Sequence, residues 1–278
     1  MATSRPGALM GRGNTSDIVE WGRYAVVKVL HPGIPAEWAE VEAETIRLVR
    51  AAGLPAPAVH GVVTVAGRPG IVLDRVDGPS LWDRMVAEPA RLAEWTGILV
   101  GLQRVLLATP APAGLSSVAG RIRHQLDSAP LGPQDRKATA AVLTGLPDGA
   151  ALCHFDLHPD NVILAASGPV VVDWFDAAAG DPAADVARSS VLMRAETAVG
   201  HLRQAPVAFL RRLHAEYLHR AVGVLGVSPG EVDRWERPLL AARLTEPLPA
   251  PVRDATLRML RERSGVAALG VADPVTRG

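Results

Sequence analysis

The sequence predicts an α+β fold, with a small β-rich lobe followed by a larger, mainly helical lobe. In the first 75 residues, short runs of β-branched and aromatic residues alternate with turn residues. After "DGPS" at 77–80, apolar residues recur at helical spacing. No internal repeat interrupts either pattern. The expected division of the chain is therefore residues 1–76 and residues 77–278.

The first lobe is predicted to contain two hairpins with a helix between them. "SDIVEW" (16–21) and "YAVVKVL" (24–30) are strand-like runs separated by Gly-Arg, and "HGVVTVAGRPGIVLDRV" (60–76) predicts two more strands. Residues 36–52 have a helical period that ends at Gly53. The predicted inner face of this helix consists of Trp38, Val41, Thr45, Leu48, Val49 and Ala52.

The second lobe is predicted to be helical except between about residues 151 and 175, where short apolar runs suit small strands and loops. Ser80 followed by Asp83 resembles a helix cap, and Asp181 with Pro182 predicts another helix start. The other helices are expected at roughly 90–108, 116–127, 133–145, 206–224, 229–243 and 251–263.

Composition excludes several classes of protein. The 29 acidic and 29 basic residues balance, which argues against broad nucleic-acid binding. The one cysteine, Cys153, excludes an intramolecular disulfide and a multi-cysteine zinc site. The opening "MATSRPGALMGRG" has no apolar signal core, and no later run matches the roughly 20 apolar residues of a membrane span. We expect a cytoplasmic protein without membrane or nucleic-acid partners, and the sequence does not predict its oligomeric state.

The stretch "LCHFDLHPDNVIL" (152–164) allows two interpretations. In an extended strand, His154, Asp156 and His158 would share one face and could bind a metal ion. An iron-dependent oxygenase would use His154 and Asp156 with a distant histidine. In a loop, His154, Asp156 and Asn161 have the H-x-D-x-x-x-x-N spacing of kinase catalytic loops. The two interpretations predict different enzymes.

Phosphoryl transfer requires few groups, and this chain contains candidates for each of them. Asp156 could orient a hydroxyl and accept its proton. Asn161 and Asp173 could supply oxygen ligands for Mg²⁺, and Asp173 follows directly after the apolar run "PVVV". Lys28, in the strand "YAVVKVL", could bind nucleotide phosphates.

A phosphate-binding lysine needs a carboxylate beside it. At about 100° per residue, Glu42 lies about 70° from the centre of the predicted inner face, Glu44 about 90° and Glu40 about 130°. Glu42 is therefore the preferred partner of Lys28. The alternatives are a lysine on an edge strand, which deters aggregation, and a solvated helix glutamate.

"HFDLHPDNVIL" followed by "VVVDWFDAAAGDPAADVAR" resembles the aminoglycoside phosphotransferase and choline kinase family. "EAETIRLVRAAGLPAP" is similar to the helix of that family's small lobe. The similarity runs in order from about residue 9 to 190. It implies a bilobal, protein-kinase-like fold in which 1–76 bind the nucleotide and 77–278 carry the catalytic and acceptor-binding groups.

The resemblance assigns a role to each central residue. It implies Asp156 as the catalytic base, Asn161 and Asp173 as Mg²⁺ ligands, Lys28 as the phosphate-binding lysine and Glu42 as its partner. The cofactors would be ATP and Mg²⁺, and the acceptor a hydroxyl of a small molecule. The other expected nucleotide contacts are a phosphate-covering turn and the backbone of the adenine-binding hinge: Gly11, Gly13, Asn14, Asp74 and Val76.

The neighbouring residues receive supporting roles. In the family, a histidine at the position of His154 braces the loop, and Asp185 is expected to anchor a loop. Phe155 departs from the family, which usually has glycine there. Cys153 is predicted to be a small buried residue.

The acceptor remains open at this point. The family resemblance favours an antibiotic kinase that confers resistance or self-protection, and a kinase of a sugar, amino alcohol or amino acid is the alternative. A nucleotide-binding pseudokinase would keep the fold without the reaction. The iron oxygenase would leave Asn161, Asp173 and Lys28 without roles.

Overall fold

The computed structural model of the protein describes residues 6–199 and 205–264. The predicted order, a β-rich part followed by a mainly helical part, is confirmed. Parts of the two predicted lobes, residues 1–5, 200–204 and 265–278, lie outside the described residues.

Five strands form one antiparallel sheet in the order β1-β2-β3-β5-β4. They are β1 (Pro6–Arg12), β2 (Ser16–Trp21), β3 (Ala25–Leu30), β4 (Val59–Val65) and β5 (Arg68–Asp74). Strand β3 is central and almost entirely buried, which explains its continuous apolar run. Strand β1 was not predicted, because it is an exposed edge strand without an alternating pattern.

Helix α1 (Glu37–Ala51) follows β3 and packs against β4 and β5. The predicted inner face was wrong in part, since Val41 and Ala52 are exposed. The buried residues are Ala39, Glu42, Ala43, Thr45, Ile46 and Val49. Alanines let the helix approach the sheet closely, and Glu42 lies inside this face because its charge is paired there.

The chain divides into two compact units. Among the described residues, the first comprises those up to Asp83 together with Pro159–Asp176, and the second comprises Arg84–His158 together with those from Ala177 onward. The functional boundary expected after residue 76 stays a prediction, because this division describes compactness alone.

The segment 159–176 contains a hairpin that is bonded into the first unit. Its strands are β7 (Val162–Ala165) and β8 (Gly168–Val171). Leu164 N–H donates to the carbonyl oxygen of Pro79 at 2.9 Å, and Val171 N–H donates to that of Pro55 at 2.7 Å. These backbone bonds place the hairpin against chain that precedes it by roughly one hundred residues.

Most of the second unit is helical, as predicted. Its strands are the short antiparallel pair β6 (Ala151–Cys153) and β9 (Ala178–Gly180). Among the described residues, the helices after α1 are α2 (Leu81–Ala87), which crosses the boundary between the units, α3 (Leu92–Leu107), α4 (Val118–Ser128), α5 (Pro133–Thr144), α6 (Pro182–Val199), α7 (Val207–Leu225), α8 (Pro229–Arg243) and α9 (Ala250–Ser264). None of the described helices is long and apolar enough to cross a membrane.

Helix α6 is the central helix of the second unit. It packs against α7, α8 and α9, and residues 183–193 are all buried. Its helix start is the predicted one, because Ala183 N–H donates to Asp181 Oδ1 at 2.8 Å. A helix buried on all sides normally contains only apolar residues, so Asp185 and Arg188 on α6 require internal partners.

Gly78 lies where the backbone of the first unit is most crowded. An added Cβ would lie 2.3 Å from the carbonyl oxygen of Leu164, and the φ angle is +157°. Gly78→Ala is expected to lower the free energy of unfolding by about 1–3 kcal/mol, because backbone atoms must move. Gly101→Ala is the matched control: Gly101 lies in α3 with open space around it, and alanine should stabilise the helix by about 0.5–1 kcal/mol. Urea unfolding followed by circular dichroism measures both, and equal midpoints for the two variants would contradict this expectation.

His214 predicts how stability depends on pH. Burial, together with the charge of Arg194, lowers the pKa of His214 to about 4, and its Nε2 lies 2.9 Å from Ser190 Oγ. Since the pKa is lower in the folded state, His214 contributes its full stability above about pH 6.5, and this is lost as pH falls toward 4.

The expected loss through this window is about 2–3 kcal/mol. His214→Gln can keep a hydrogen bond to Ser190 but does not titrate, so its free energy of unfolding should fall less between pH 7 and pH 4. Parallel slopes for the two proteins in urea denaturation at these pH values would disprove the role of His214.

Candidate active site

Lys28 and Glu42 form a buried ion pair in the first unit, and the more exposed Asp173 joins it. Lys28 Nζ donates to Glu42 Oε1 at 2.7 Å, to Glu42 Oε2 at 2.9 Å and to Asp173 Oδ1 at 2.9 Å. Since Lys28 lies on the central strand β3, the edge-strand alternative is wrong. The solvated alternative for Glu42 is also wrong, because Glu42 is buried.

The two carboxylates differ in exposure. Asp173 is 43% exposed and Glu42 is 2% exposed. Burial raises the pKa of Glu42 to about 7, although the positive charge of Lys28 acts to lower it. Burial alone would lower the pKa of Lys28, but the charges of Asp173 and Glu42 raise it above its usual range. The ammonium group is therefore permanently charged.

Asn161 and Asp173 lie at the open end of one hairpin. Val162 pairs with Val171, and Val172 N–H donates to the carbonyl oxygen of Asn161 at 3.0 Å. Asp173 has a φ of +64°, a left-handed conformation that aspartate tolerates better than most residues. Two side chains that are 12 positions apart in the sequence thus come from neighbouring backbone.

An aromatic pair joins helix α1 to the segment after Asp173. The rings of Trp38 and Phe175 stack with centroids 4.4 Å apart and an interplanar angle of 26°. Trp174 is fully buried, and its Nε1 donates to the carbonyl oxygen of Val171 at 2.9 Å. The pairing of Trp38 with Phe175 was not predicted, because no local spacing relates positions so far apart.

Asp156 follows β6 in the second unit, in an irregular segment that begins at His154. Asp156 N–H donates to Nδ1 of the buried His154 at 3.3 Å, so His154 contacts the backbone of the predicted loop. The side chain of Asp156 is 25% exposed and can therefore be reached by a small molecule.

The charges around Asp156 keep its carboxylate ionised. Burial would raise the pKa of Asp156, but the hydrogen bond from His158, together with the charges of His158, Arg188 and His154, outweighs it and holds the pKa below its ordinary value. His158 Nε2 lies 3.7 Å from Asp156 Oδ2, which makes His158 a charge neighbour of Asp156.

Phe155 has a φ of +63°, the region that glycine adopts most easily. This conformation fits a family position that is usually glycine. Phe155 N–H donates to Asp185 Oδ1 at 2.7 Å, and Arg188 Nε donates to the carbonyl oxygen of Phe155 at 3.1 Å. Both sides of this residue's backbone are thus held by helix α6.

Asp185 is the loop anchor that the sequence suggested, and it belongs to a larger buried network. Gln103 Nε2 donates to Asp185 Oδ2 at 2.8 Å, and Tyr217 Oη donates to Gln103 Oε1 at 2.9 Å. Sequence reasoning did not find Gln103 and Tyr217, because each looks like an ordinary helix residue. Only the packing of the helices shows that Gln103 binds the buried carboxylate and that Tyr217 binds Gln103.

The predicted phosphate turn lies between β1 and β2. Gly11 belongs to β1 opposite Ile18, and Asn14 is exposed in the turn. Gly13 N–H already donates to the carbonyl oxygen of Ser16 at 2.8 Å. Contacts of Gly11, Gly13 and Asn14 with phosphate remain predictions, and Gly13 would have to exchange its bond.

The predicted hinge begins at the last residue of β5. Asp74 Oδ1 lies 2.8 Å from His60 Nε2, and Asp74 Oδ2 accepts a hydrogen bond from Ala58 N–H at 3.1 Å. Val76 is half-buried and follows Arg75, whose N–H donates to the carbonyl oxygen of Tyr24. The carboxylate of Asp74 thus fixes the end of β5, and backbone contact of Asp74 and Val76 with adenine stays a prediction.

The five-stranded antiparallel sheet followed by a mainly helical region is a kinase-like fold. A family model described as "Phosphotransferase enzyme family" matches residues 10–222, and the chain belongs to this family. The recognised family, the kinase-like α+β fold and the enzyme class are confirmed, and the iron-oxygenase interpretation is wrong.

A curated relative, streptomycin 6-kinase from Streptomyces griseus, is 32% identical over 128 residues. The match spans 42% of this chain and 40% of the length of that relative.

Solved structures resemble the fold over most of the chain. An aminoglycoside 3'-phosphotransferase of type VIII has a TM-score of 0.61 at 19% identity, covering 88% of this chain and 93% of its own. A choline/ethanolamine kinase family protein from Mesorhizobium loti has a TM-score of 0.59 at 17% identity. The match covers 95% of this chain and 88% of that protein. The ternary complex of streptomycin, ATP and APH(2")-IIa has a TM-score of 0.57 at 14% identity. The match covers 94% of this chain and 92% of that protein.

Asp185→Asn tests the network behind the loop. Both carboxylate oxygens accept hydrogen bonds from buried donors. An asparagine amide has only one oxygen, so its NH₂ group would point at one of these donors instead of accepting from it. The free energy of unfolding should fall by about 1–3 kcal/mol. Asp127→Asn, at an exposed position of α4, should leave stability unchanged and serves as the control. Thermal unfolding by circular dichroism compares them, and an unchanged melting temperature of Asp185→Asn would contradict the network's importance.

Proposed function

We propose that this protein transfers the γ-phosphate of ATP to a hydroxyl group of a small molecule, most directly an antibiotic. The observation that carries the proposal is the buried Lys28–Glu42 pair with Asp173 beside it, in a chain of the phosphotransferase family that also contains the H-x-D-x-x-x-x-N loop. A buried ammonium held by carboxylates is the arrangement that phosphate binding requires.

Lys28 is the proposed phosphate-binding residue. Lys28 Nζ contacts both oxygens of Glu42 and one oxygen of Asp173, and because the two Glu42 oxygens belong to one carboxylate, a single proton of the ammonium group can serve both. A phosphate oxygen would bind a further proton of the ammonium group or take the place of Asp173, the exposed partner, while the buried Glu42 keeps the lysine in position.

Asn161 and Asp173 fit the ligand set of Mg²⁺. One offers an amide oxygen and the other a carboxylate, and both are hard oxygen donors on neighbouring backbone. Asp173 extends into solvent beyond its bond to Lys28. When bound, Mg²⁺ would supply positive charge to the phosphate oxygens.

Asp156 is the proposed catalytic base. Its low pKa makes it a weak base before reaction, so its first role is to orient the acceptor hydroxyl through a hydrogen bond. It would accept the proton as the new bond between oxygen and phosphorus forms and the bond to ADP breaks. We propose direct transfer without a phospho-enzyme.

The proposed acceptor is an antibiotic of the aminoglycoside type, and the proposed role is resistance or self-protection in the cytoplasm. The similarity to streptomycin 6-kinase supports this choice, although it covers less than half of that relative. An amino-alcohol or sugar kinase is the second candidate, favoured by the fold likeness to a choline/ethanolamine kinase family protein and by the absence of net negative charge.

A screen of nucleotide consumption tests the function. Purified protein with Mg²⁺ and either ATP or GTP is assayed against streptomycin, other aminoglycosides, macrolides, peptide antibiotics, sugars and amino alcohols. The proposal expects turnover that depends on one acceptor class and a phosphorylated product in mass spectrometry. Turnover with choline or a sugar alone would favour the second candidate, and no acceptor-dependent turnover would leave the pseudokinase.

Asp156→Ala tests the mechanism in the same assay. Acceptor phosphorylation should fall by about 10²–10⁴-fold, because the hydroxyl loses its orienting group, while ADP affinity in calorimetry stays unchanged. Asp127→Ala is the control at an exposed aspartate and should keep full activity. An Asp156→Ala variant with wild-type kcat would disprove the assigned base.

A further inference from the structure

The residue before the proposed base has a backbone conformation that must be held in place. Phe155 has a left-handed φ of +63°, which costs a non-glycine residue about 1 kcal/mol or more. Asp185 binds its N–H, as described above. The carbonyl on the other side, which belongs to the peptide bond leading into Asp156, is bound by Arg188.

Arg188 reaches this carbonyl from the same face of α6 as Asp185. The two residues are three positions apart on the helix, so their side chains are neighbours. The guanidinium carbon also lies 5.6 Å from the centre of the Phe155 ring, within the range of a cation–π interaction. One helical turn therefore holds the N–H, the carbonyl and the side chain of Phe155.

The far side of the Arg188 guanidinium is fixed as well. Arg188 Nη1 lies 2.7 Å from Glu246 Oε1, and Arg243 Nη1 donates to Glu246 Oε2 at 3.2 Å. Both arginines are at least 94% buried as side chains. Burying a guanidinium is costly unless its N–H groups are paired, and here the Phe155 carbonyl and Glu246 supply partners.

We propose that Arg188 is a positioning residue for phosphoryl transfer, which holds the Phe155 carbonyl and thereby the orientation of Asp156. This inference rests on the proposed function of Asp156. The positive charge of Arg188 also contributes to keeping Asp156 ionised. A planar guanidinium can bind the carbonyl through Nε and Glu246 through Nη1 at the same time, which an ammonium cannot do with fixed geometry.

The test compares Arg188→Met, Arg188→Lys and a control on the same helix, Arg194→Met. Arg194 forms an ion pair with Glu236 of α8 at 2.6 Å, so its loss also removes a charge from a partly buried pair. Each variant is assayed for kcat and KM with Mg²⁺ and ATP, using the acceptor that responds in the screen, or water as acceptor if none does. ADP affinity is measured by calorimetry and thermal stability by circular dichroism.

Arg188→Met is expected to lower kcat by about 10- to 100-fold with unchanged ADP affinity, because a misdirected base is poorly aligned for transfer. Arg188→Lys should recover part of kcat, since an ammonium can still donate to the carbonyl. Arg194→Met should lose thermal stability but keep its kcat. Wild-type kcat in Arg188→Met, or equal losses of kcat in Arg188→Met and Arg194→Met, would overturn the proposal.

Asp156→Ala in the same assay separates the two proposals. If Asp156→Ala is inactive and Arg188→Met is fully active, the role of Arg188 alone is wrong. If Asp156→Ala is fully active, the proposed base is wrong, and a role for Arg188 in orienting it is overturned with it.

Discussion

The ammonium group of Lys28 lies inside the first unit and donates to carboxylate oxygens of Glu42 and Asp173. A buried cation without such partners would cost several kcal/mol, so the surrounding structure must supply them. This requirement explains why Glu42 lies within the buried face of α1. It also explains why the chain after β8 turns through a left-handed conformation at Asp173, which brings its carboxylate to the lysine.

In the second unit, buried charged residues on helix α6 also need partners. Its central helix α6 is lined with small residues, which let its neighbours pack closely. Two charged residues on this helix, Asp185 and Arg188, bind opposite sides of the Phe155 backbone. Each has a further partner, Gln103 on α3 for Asp185 and Glu246 after α8 for Arg188, so the position of the residue before Asp156 depends on several segments at once. A glycine could adopt the same conformation at lower cost, but it would give up the contact with the Arg188 guanidinium.

Much of the fold could be predicted from the sequence because its signals are local. The strands β2 to β5, the helix starts at Ser80 and Asp181, and the turn at Gly53 each depend on neighbouring residues. The strand β1 could not be predicted, because an exposed edge strand has no alternating pattern. The inner face of α1 was predicted from its larger apolar residues, but the buried face also contains two alanines and a glutamate that is paired with Lys28.

The sequence by itself determined the family and the residue types available for its chemistry, since H-x-D-x-x-x-x-N and D-W…G-D-P are fixed by spacing along the chain. It also indicated Glu42 as the partner of Lys28. Tertiary structure alone decided that Asp173 shares this lysine, that Trp38 stacks on Phe175, and that Arg188 with Glu246 lies behind the loop containing Asp156. The physical reason is that these contacts join residues 58 to 145 positions apart, and their partners are chosen by burial and charge pairing that no local pattern encodes.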